Sequence, residues 1–243
     1  IMLTSRLLAL LDRRSLIVNI GGGMVGDISG FAASVYMRGV DFVQVPTTLL
    51  AQVDASIGGK VAINFAGVKN LIGAFQQPKL VLIDVHLLST LPKRELYSGF
   101  AEIIKHALIF DKDFLFELER TDTETISDEK LTAIIRRSCE IKAAVVQKDP
   151  HEKGLRKILN CGHTIAHAIE SLAAEGTSPL LHGECVSLGI VAEAALCRLR
   201  GHLTAEDNRR IEKVLMQYRL PVRLNQKLSP ELLIERMKHD KKN

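Results

Sequence analysis

Hydrophobic positions along the chain follow two rhythms. Up to about residue 91, short apolar runs alternate with glycine-rich turns. SLIVNI (15–20), DFVQVP (41–46) and KLVLID (79–84) read as buried parallel strands. ISGFAASVYM, after the first strand, has helical spacing, as does LTSRLLALLD (3–12) before it. From Lys93 onward the helical period takes over. A long amphipathic helix is expected over 131–149, and AEDNRRIEKVLMQY and SPELLIERMKHDKK begin at plausible caps, Thr204 and Ser229. The change of rhythm places a domain boundary near Leu91, between an α/β part (1–91) and an all-α part (92–243).

The first strand runs straight into GGGMVGD and a helix, and Gly21, Gly23 and Gly26 satisfy GxGxxG in that context. Such glycines let the backbone approach a pyrophosphate at a helix N-terminus. A tight turn explains one or two of them but not three in a row. The acidic residue expected after a second strand is not evident, and Asp41 is a poor candidate.

The richest chemistry lies in 156–184, which holds His163, His167 and His182, three of the eight histidines. His163 and His167 are four apart and share a helix face, while His182 follows a proline-containing break and restarts a helix. Two helices can thus aim imidazoles at one point, as a metal site requires. Spacing alone pairs His163 with His167. The competing reading is of polar helix-end residues satisfied by backbone carbonyls. Glu102 and Lys105 read as an exposed helical ion pair, or else as a pair facing a cleft, with His106 pointing elsewhere. Arg156, four after Glu152, fits a helix surface.

Composition narrows the field. Of 243 residues, 47% are hydrophobic and 25% charged, the balance of a globular protein. A net charge of +4, no tryptophan and scattered basic residues leave no footprint for nucleic acid and favour small anionic molecules. Cys139, Cys161, Cys185 and Cys197 form no CxxC and read as reduced, buried helix residues of a cytosolic-type compartment. No uncharged apolar run is long enough for a membrane span, and the start has no signal-peptide pattern.

Longer motifs carry a resemblance. GGGMVGDISGFAASVYMRG, VPTTLLAQVDASIGGKVAIN, VKNLIGAFQQPKLVLID, LPKRELYSGFAEIIKHALI, GLRKILNCGHTIAHAIE and LLHGECVSLG are similar to the 3-dehydroquinate synthase family of sugar-phosphate cyclases. The resemblance implies a partial Rossmann-like NAD-binding domain over 1–91, then an α-helical metal- and substrate-binding domain over 92–243, with the active site between them. It implies conversion of 3-deoxy-D-arabino-heptulosonate 7-phosphate to 3-dehydroquinate and phosphate, a shikimate-pathway step. In it NAD transiently oxidises a hydroxyl, a divalent metal polarises that oxygen, phosphate is eliminated, the ketone is reduced again and an aldol step closes the ring.

Residue by residue, the resemblance implies metal ligands Glu102, His163 and His182, which displaces the His163–His167 pairing. It implies catalytic or substrate roles for Lys60, Asn70, Lys105, Asn160 and His167, and substrate contacts at Asp54, Lys142, Arg156 and Lys241. Arg38 matches an arginine that reaches the neighbouring subunit's substrate phosphate in a homodimer. NAD contacts fall on Gly22, Gly23, Asp27, Thr47, Thr48, Asp54 and Lys69. The metal is Zn²⁺ or Co²⁺. The location is cytoplasmic, with the plastid stroma as the alternative. Asn160, His167 and Lys241 favour dehydroquinate synthase over cyclases that make valiolone or inosose products. The rival readings are those cyclases, a polyol dehydrogenase of similar fold, which needs no lysine cluster for its uncharged substrate, and a truncated, non-catalytic fragment. Relatives extend further at both ends, so the sequence is expected to be a piece of a longer chain.

Overall fold

The computed structural model describes residues 12–66, 68–173, 179–225 and 228–238. All but the last residue of the helix expected over 3–12, and Lys241, lie outside them. Strand β1 (Leu16–Gly21) pairs in parallel with β2 (Asp41–Pro46), in register from Leu16 opposite Asp41 to Gly21 opposite Pro46. Helix α1 (Gly23–Val35) connects them. A β-hairpin follows, β3 (Lys60–Phe65) against β4 (Val68–Phe75), and then the two-residue β5 (Leu80–Val81), parallel to β2.

The hairpin was not foreseen in NFAGVKNLIGAF. It turns at Ala66, whose φ of 50° is an unusual backbone for alanine and leaves no Asn-Gly signature in the sequence. The third expected strand, 79–84, is regular only at its centre. The Lys79 N–H still donates to Phe42 O and the Leu82 N–H to Gln44 O, but Asp84 then caps a 3₁₀ turn (Val85–Leu88) by accepting from the His86 N–H. Helix α1 lies unusually close to its neighbours. A Cβ on Gly26 would stand 2.9 Å from Gln44 Oε1, and one on Gly30 would stand 2.5 Å from Val61 Cγ1.

From Lys93 the structure is helical: α2 (Lys93–Phe110), α3 (Lys112–Arg120), α4 (Asp128–Lys148), α5 (His163–Ala173), α6 (His182–Leu199), α7 (Ala205–Gln217) and α8 (Pro230–Lys238). Thr204 and Ser229 are the caps, accepting from the N–H groups of Asp207 and Leu232. Phe100, Ile103, Ile104, Ile134, Val186, Leu215 and Tyr218 form the heart of the core. Leu49 and Val53, from the segment leaving β2, are buried in the same core, which stitches the α/β part to the helices. Each such side chain contributes about 1.5–3 kcal/mol.

The four cysteines are free thiols. Only Cys185 is fully buried, the other three are half-buried, and Cys161 lies in a turn before α5, so the expectation of four buried helical cysteines is corrected there. Among the described residues no helix is long and apolar enough to cross a membrane.

Candidate active site

One wall is built where β1 and β2 end. The Thr47 N–H donates to Gly21 O at 3.0 Å, and Thr48 Oγ1 accepts from the Ala51 N–H at 3.2 Å. Cβ atoms on Gly22 and Gly23 would stand 3.2 Å from Thr48 Cγ2 and Ala55 Cβ. The glycine turn, the α1 N-terminus and the threonine pair therefore lie together at the carboxyl ends of parallel strands, the usual ligand crevice of such sheets. Asp27 sits just inside α1, where burial, and then the charge of Asp54, push its carboxyl up to about 6.

Asp54 lies on a π-helical turn, Ala51–Ala55, a conformation frequent at functional sites. The turn buries Val53 in the helical core and leaves Asp54 facing α4, where Lys142 Nζ lies 2.5 Å from its Oδ1 and its backbone oxygen. Burial works against the Asp54 charge, but Lys142 outweighs it and holds the carboxyl below its usual range. Lys142 is itself lowered, because burial costs the ammonium more than Asp54 returns.

The second wall is the meeting of α2, α5 and α6. Two glycines permit it. A Cβ on Gly183 would stand 1.9 Å from Ser98 O, and one on Gly189 would stand 2.0 Å from Gly162 O. Gly162, at φ 78°, turns the chain into α5. Arg94 grips Glu184 with two bonds of 2.7 Å and so fixes the start of α6 on α2. The result places His182 beside Glu102, one turn along α2 from Ser98.

Glu102, His163 and His182 each offer one ligand atom within 4.8 Å of the others. Glu102 Oε1 lies 3.4 Å from His163 Nε2 and 3.8 Å from His182 Nε2. His163 Nδ1 lies 3.1 Å from the Cys161 carbonyl, which can only accept, so Nδ1 carries a proton and Nε2 is the nitrogen turned toward Glu102. Glu102 is fully buried, and neither carboxylate oxygen has a hydrogen-bond donor in good geometry, although the Lys105 ammonium touches Oε2. Burial disfavours its charge, but Lys105, then His163 and His182, outweigh that and hold it well below the carboxylate range. His182 is opposed by burial yet raised to about 9 by its bonds to Glu102 and Glu170. One anionic oxygen facing two imidazole nitrogens is a donor set that suits a divalent ion with an open position.

The other polar groups expected at a substrate cleft fall on several elements. His167 is half-buried, its ring 5.5 Å from that of His163 and 6.3 Å from that of His182. Glu152 pairs with Lys60 and accepts from Asn160 Nδ2 at 2.7 Å. Arg156 is buried beneath Gly58, donating to Pro150 O at 2.7 Å. Lys69 pairs with Glu170 at 2.6 Å. Asn70 is exposed at φ 51°, its N–H bonded to Asn64 Oδ1. Arg38 is exposed on a strained turn after α1, at φ 70°, on a different element from the Glu102–His163–His182 cluster.

Three expectations from periodicity are corrected. Glu102 and Lys105 are not an exposed ion pair: α2 is buried on every face over 98–107, and both side chains are within 2% of full burial. His106 does not point elsewhere. It is buried, bonded to Ser138 Oγ at 2.8 Å, and within 4.8 Å of Asp54 and Glu102 oxygens. Burial, with Lys105 adding to it, lowers its pKa to about 3. Arg156 is not on a helix surface, since it lies in a 3₁₀ turn (Leu155–Asn160) and its backbone N–H is held by Asp149. Glu152 and Glu170 were missed as site residues. Each acidic side chain gathers cationic or amide groups, a signal visible only once the chain is folded.

Two family models cover the chain, 3-dehydroquinate synthase N-terminal over residues 2–98 and 3-dehydroquinate synthase C-terminal over residues 99–243. The chain belongs to the 3-dehydroquinate synthase family. A 3-dehydroquinate synthase of Thermodesulfovibrio yellowstonii is 50% identical over 96% of this chain and 65% of the relative. One of Geobacter metallireducens is 52% identical over 88% of this chain and 59% of the relative. The chain thus spans somewhat under two thirds of the length of these relatives.

Solved structures agree on the fold. A 2-epi-5-epi-valiolone synthase from Streptomyces hygroscopicus subsp. jinggangensis 5008, with NAD+ and Zn2+ bound, superposes with a TM-score of 0.88 at 33% identity, covering 97% of this chain and 66% of that one. A 2-deoxy-scyllo-inosose synthase complexed with carbaglucose-6-phosphate, NAD+ and Co2+ gives 0.87 at 31%, covering 100% and 66%. A glycerol dehydrogenase from Schizosaccharomyces pombe shares the fold alone, with a TM-score of 0.71 at 15% identity over 99% of this chain and 67% of that one. The 3-dehydroquinate synthase fold of this chain is therefore an α/β part followed by a helical part, as in the sugar-phosphate cyclases.

Proposed function

We propose that this chain is the catalytic part of a 3-dehydroquinate synthase. It acts on 3-deoxy-D-arabino-heptulosonate 7-phosphate and gives 3-dehydroquinate and phosphate. It depends on NAD and one Zn²⁺ or Co²⁺, functions as a homodimer and resides in the cytoplasm. The observation that carries this reading is the buried Glu102–His163–His182 cluster, whose ligand atoms lie within 4.8 Å of one another. The relatives named 3-dehydroquinate synthase, about half identical, support this substrate over others within the fold.

When bound, NAD supplies reversible hydride transfer and the ion supplies Lewis acidity at a hydroxyl oxygen. Glu102, His163 and His182 would hold the ion, where it would meet a substrate oxygen. Gly22, Gly23, Thr47 and Thr48 let the cofactor's phosphates approach the start of α1, and Asp27, Asp54 and Lys69 line its path. Lys60, Asn70, Lys142, Arg156 and Asn160, with Lys241, match the negative charge of a phosphate and a carboxylate. Lys60 and Asn160 already converge on the Glu152 carboxylate, so a substrate anion meets donors that are oriented in advance. Lys105, buried against Glu102, would contact a substrate carboxylate or hydroxyl. His167 is the proton carrier nearest in sequence to the ligand His163. Arg38, exposed on its turn, extends toward a partner subunit's substrate phosphate.

The test is phosphate release by the full-length protein supplied with the heptulosonate phosphate, NAD and Zn²⁺ or Co²⁺. No release sinks the reading. His182→Ala is expected to abolish both metal retention and turnover, and survival of both would show the ligand assignment to be wrong.

A further inference from the structure

Glu170 has no role in the proposed reaction, yet it stands between two residues that do. It lies on α5, seven residues after His163 and three after His167, so all three fall along one face of the helix. Its Oε2 is 3.4 Å from His182 Nδ1, and its Oε1 is 2.6 Å from Lys69 Nζ. A carboxylate can only accept, so the His182 proton it meets is on Nδ1, and Nε2 is the atom turned toward Glu102.

The two histidines of the cluster are therefore oriented by different devices. His163 gives its Nδ1 proton to a neutral backbone carbonyl, whereas His182 faces an anion. An anionic partner raises the basicity of an imidazole and fixes its tautomer and ring plane. Lys69, from the hairpin, holds the opposite oxygen of the same carboxylate and so limits its rotation. An ion pair this exposed contributes little to stability, which leaves orientation as the effect the contact can supply.

We infer that Glu170 is a positioning residue for the metal centre, holding His182 as the Nδ1–H tautomer, with Lys69 steadying Glu170 from the hairpin. The inference rests on the metal reading proposed above. It is tested in the full-length protein by competing Co²⁺ between the protein and a chelator, with melting curves of the metal-free proteins alongside. Glu170→Ala should lower Co²⁺ affinity about tenfold or more, the usual effect of removing such a partner. Glu170→Gln should recover part of the loss, because its amide oxygen still accepts from Nδ1–H. Lys69→Met should lose less than Glu170→Ala. The metal-free variants should melt close to the parent, which separates positioning from simple folding. Co²⁺ affinity equal to the parent in Glu170→Ala overturns the inference, and if that variant does not fold, parental affinity in both Glu170→Gln and Lys69→Met does so. A parent that binds no Co²⁺, or binds it equally with His182→Ala, overturns the metal reading itself.

Discussion

Asp27 shows how a single residue can trade stability for a site. Burial and the neighbouring charge of Asp54 raise its carboxyl to about 6 from 3.8. Between those two values the folded state keeps a proton that the unfolded state has released. Stability therefore falls as pH rises through that window, and the full penalty is present above it. Asp27→Asn removes the penalty. The variant should be more stable than the parent to urea at pH 8, and the gap should close by about pH 3.5, below the unfolded value. A gap independent of pH would show that Asp27 does not carry the charge cost. On the proposed NAD contact of Asp27, the same substitution is expected to weaken NAD binding.

At the scale of elements, the site depends on how closely α6 approaches its neighbours. The start of α6 presses Gly183 onto Ser98 of α2, with the Gly183 N–H bonded to Ser98 Oγ at 3.0 Å. The atom a methyl group would strike is backbone, so it cannot swing aside. Gly183→Ala should cost about 1–3 kcal/mol in urea unfolding, the range for overpacking. Because His182 is the adjacent residue, Co²⁺ affinity should fall with it. Gly201→Ala is the control: nothing stands within 4 Å of its added carbon, although its φ of 77° carries a local strain. That variant should leave Co²⁺ affinity unchanged. Equal metal affinity in Gly183→Ala and the parent would refute the packing argument.

Across the whole molecule, charge pairs join the α/β part to the helices with very different weights. Lys142 is 7% exposed and holds Asp54, whereas Lys60 is 45% exposed and holds Glu152. Removing one member of a buried pair strands its partner and costs about 3 kcal/mol or more, while an exposed pair contributes about 0–1 kcal/mol. Lys142→Ala should therefore shift urea unfolding far more than Lys60→Ala, and only the Lys60→Ala effect should shrink with added salt. Similar losses for the two variants would mean that the halves are held together by the shared core of Leu49 and Val53 rather than by Lys142.

The amino-acid sequence alone determined the strand–glycine turn–helix unit, the helical second half, the Thr204 and Ser229 caps and the family motifs. These are local signals: periods, cap chemistry and glycine at a close approach. It did not determine which side chains are buried together. Periodicity put Glu102 and Lys105 at the surface because it sees one face of one helix, while α2 is enclosed by several. The β3–β4 hairpin escaped notice because Ala66 and Asn70 adopt left-handed backbone without glycine. Spacing favoured His163 with His167, whereas the fold adds Glu102 and His182 from other helices and brings in Glu152 and Glu170. The Glu102–His163–His182 cluster draws on three helices and is a product of packing, and the close contacts at Gly162, Gly183 and Gly189 let those helices approach one another.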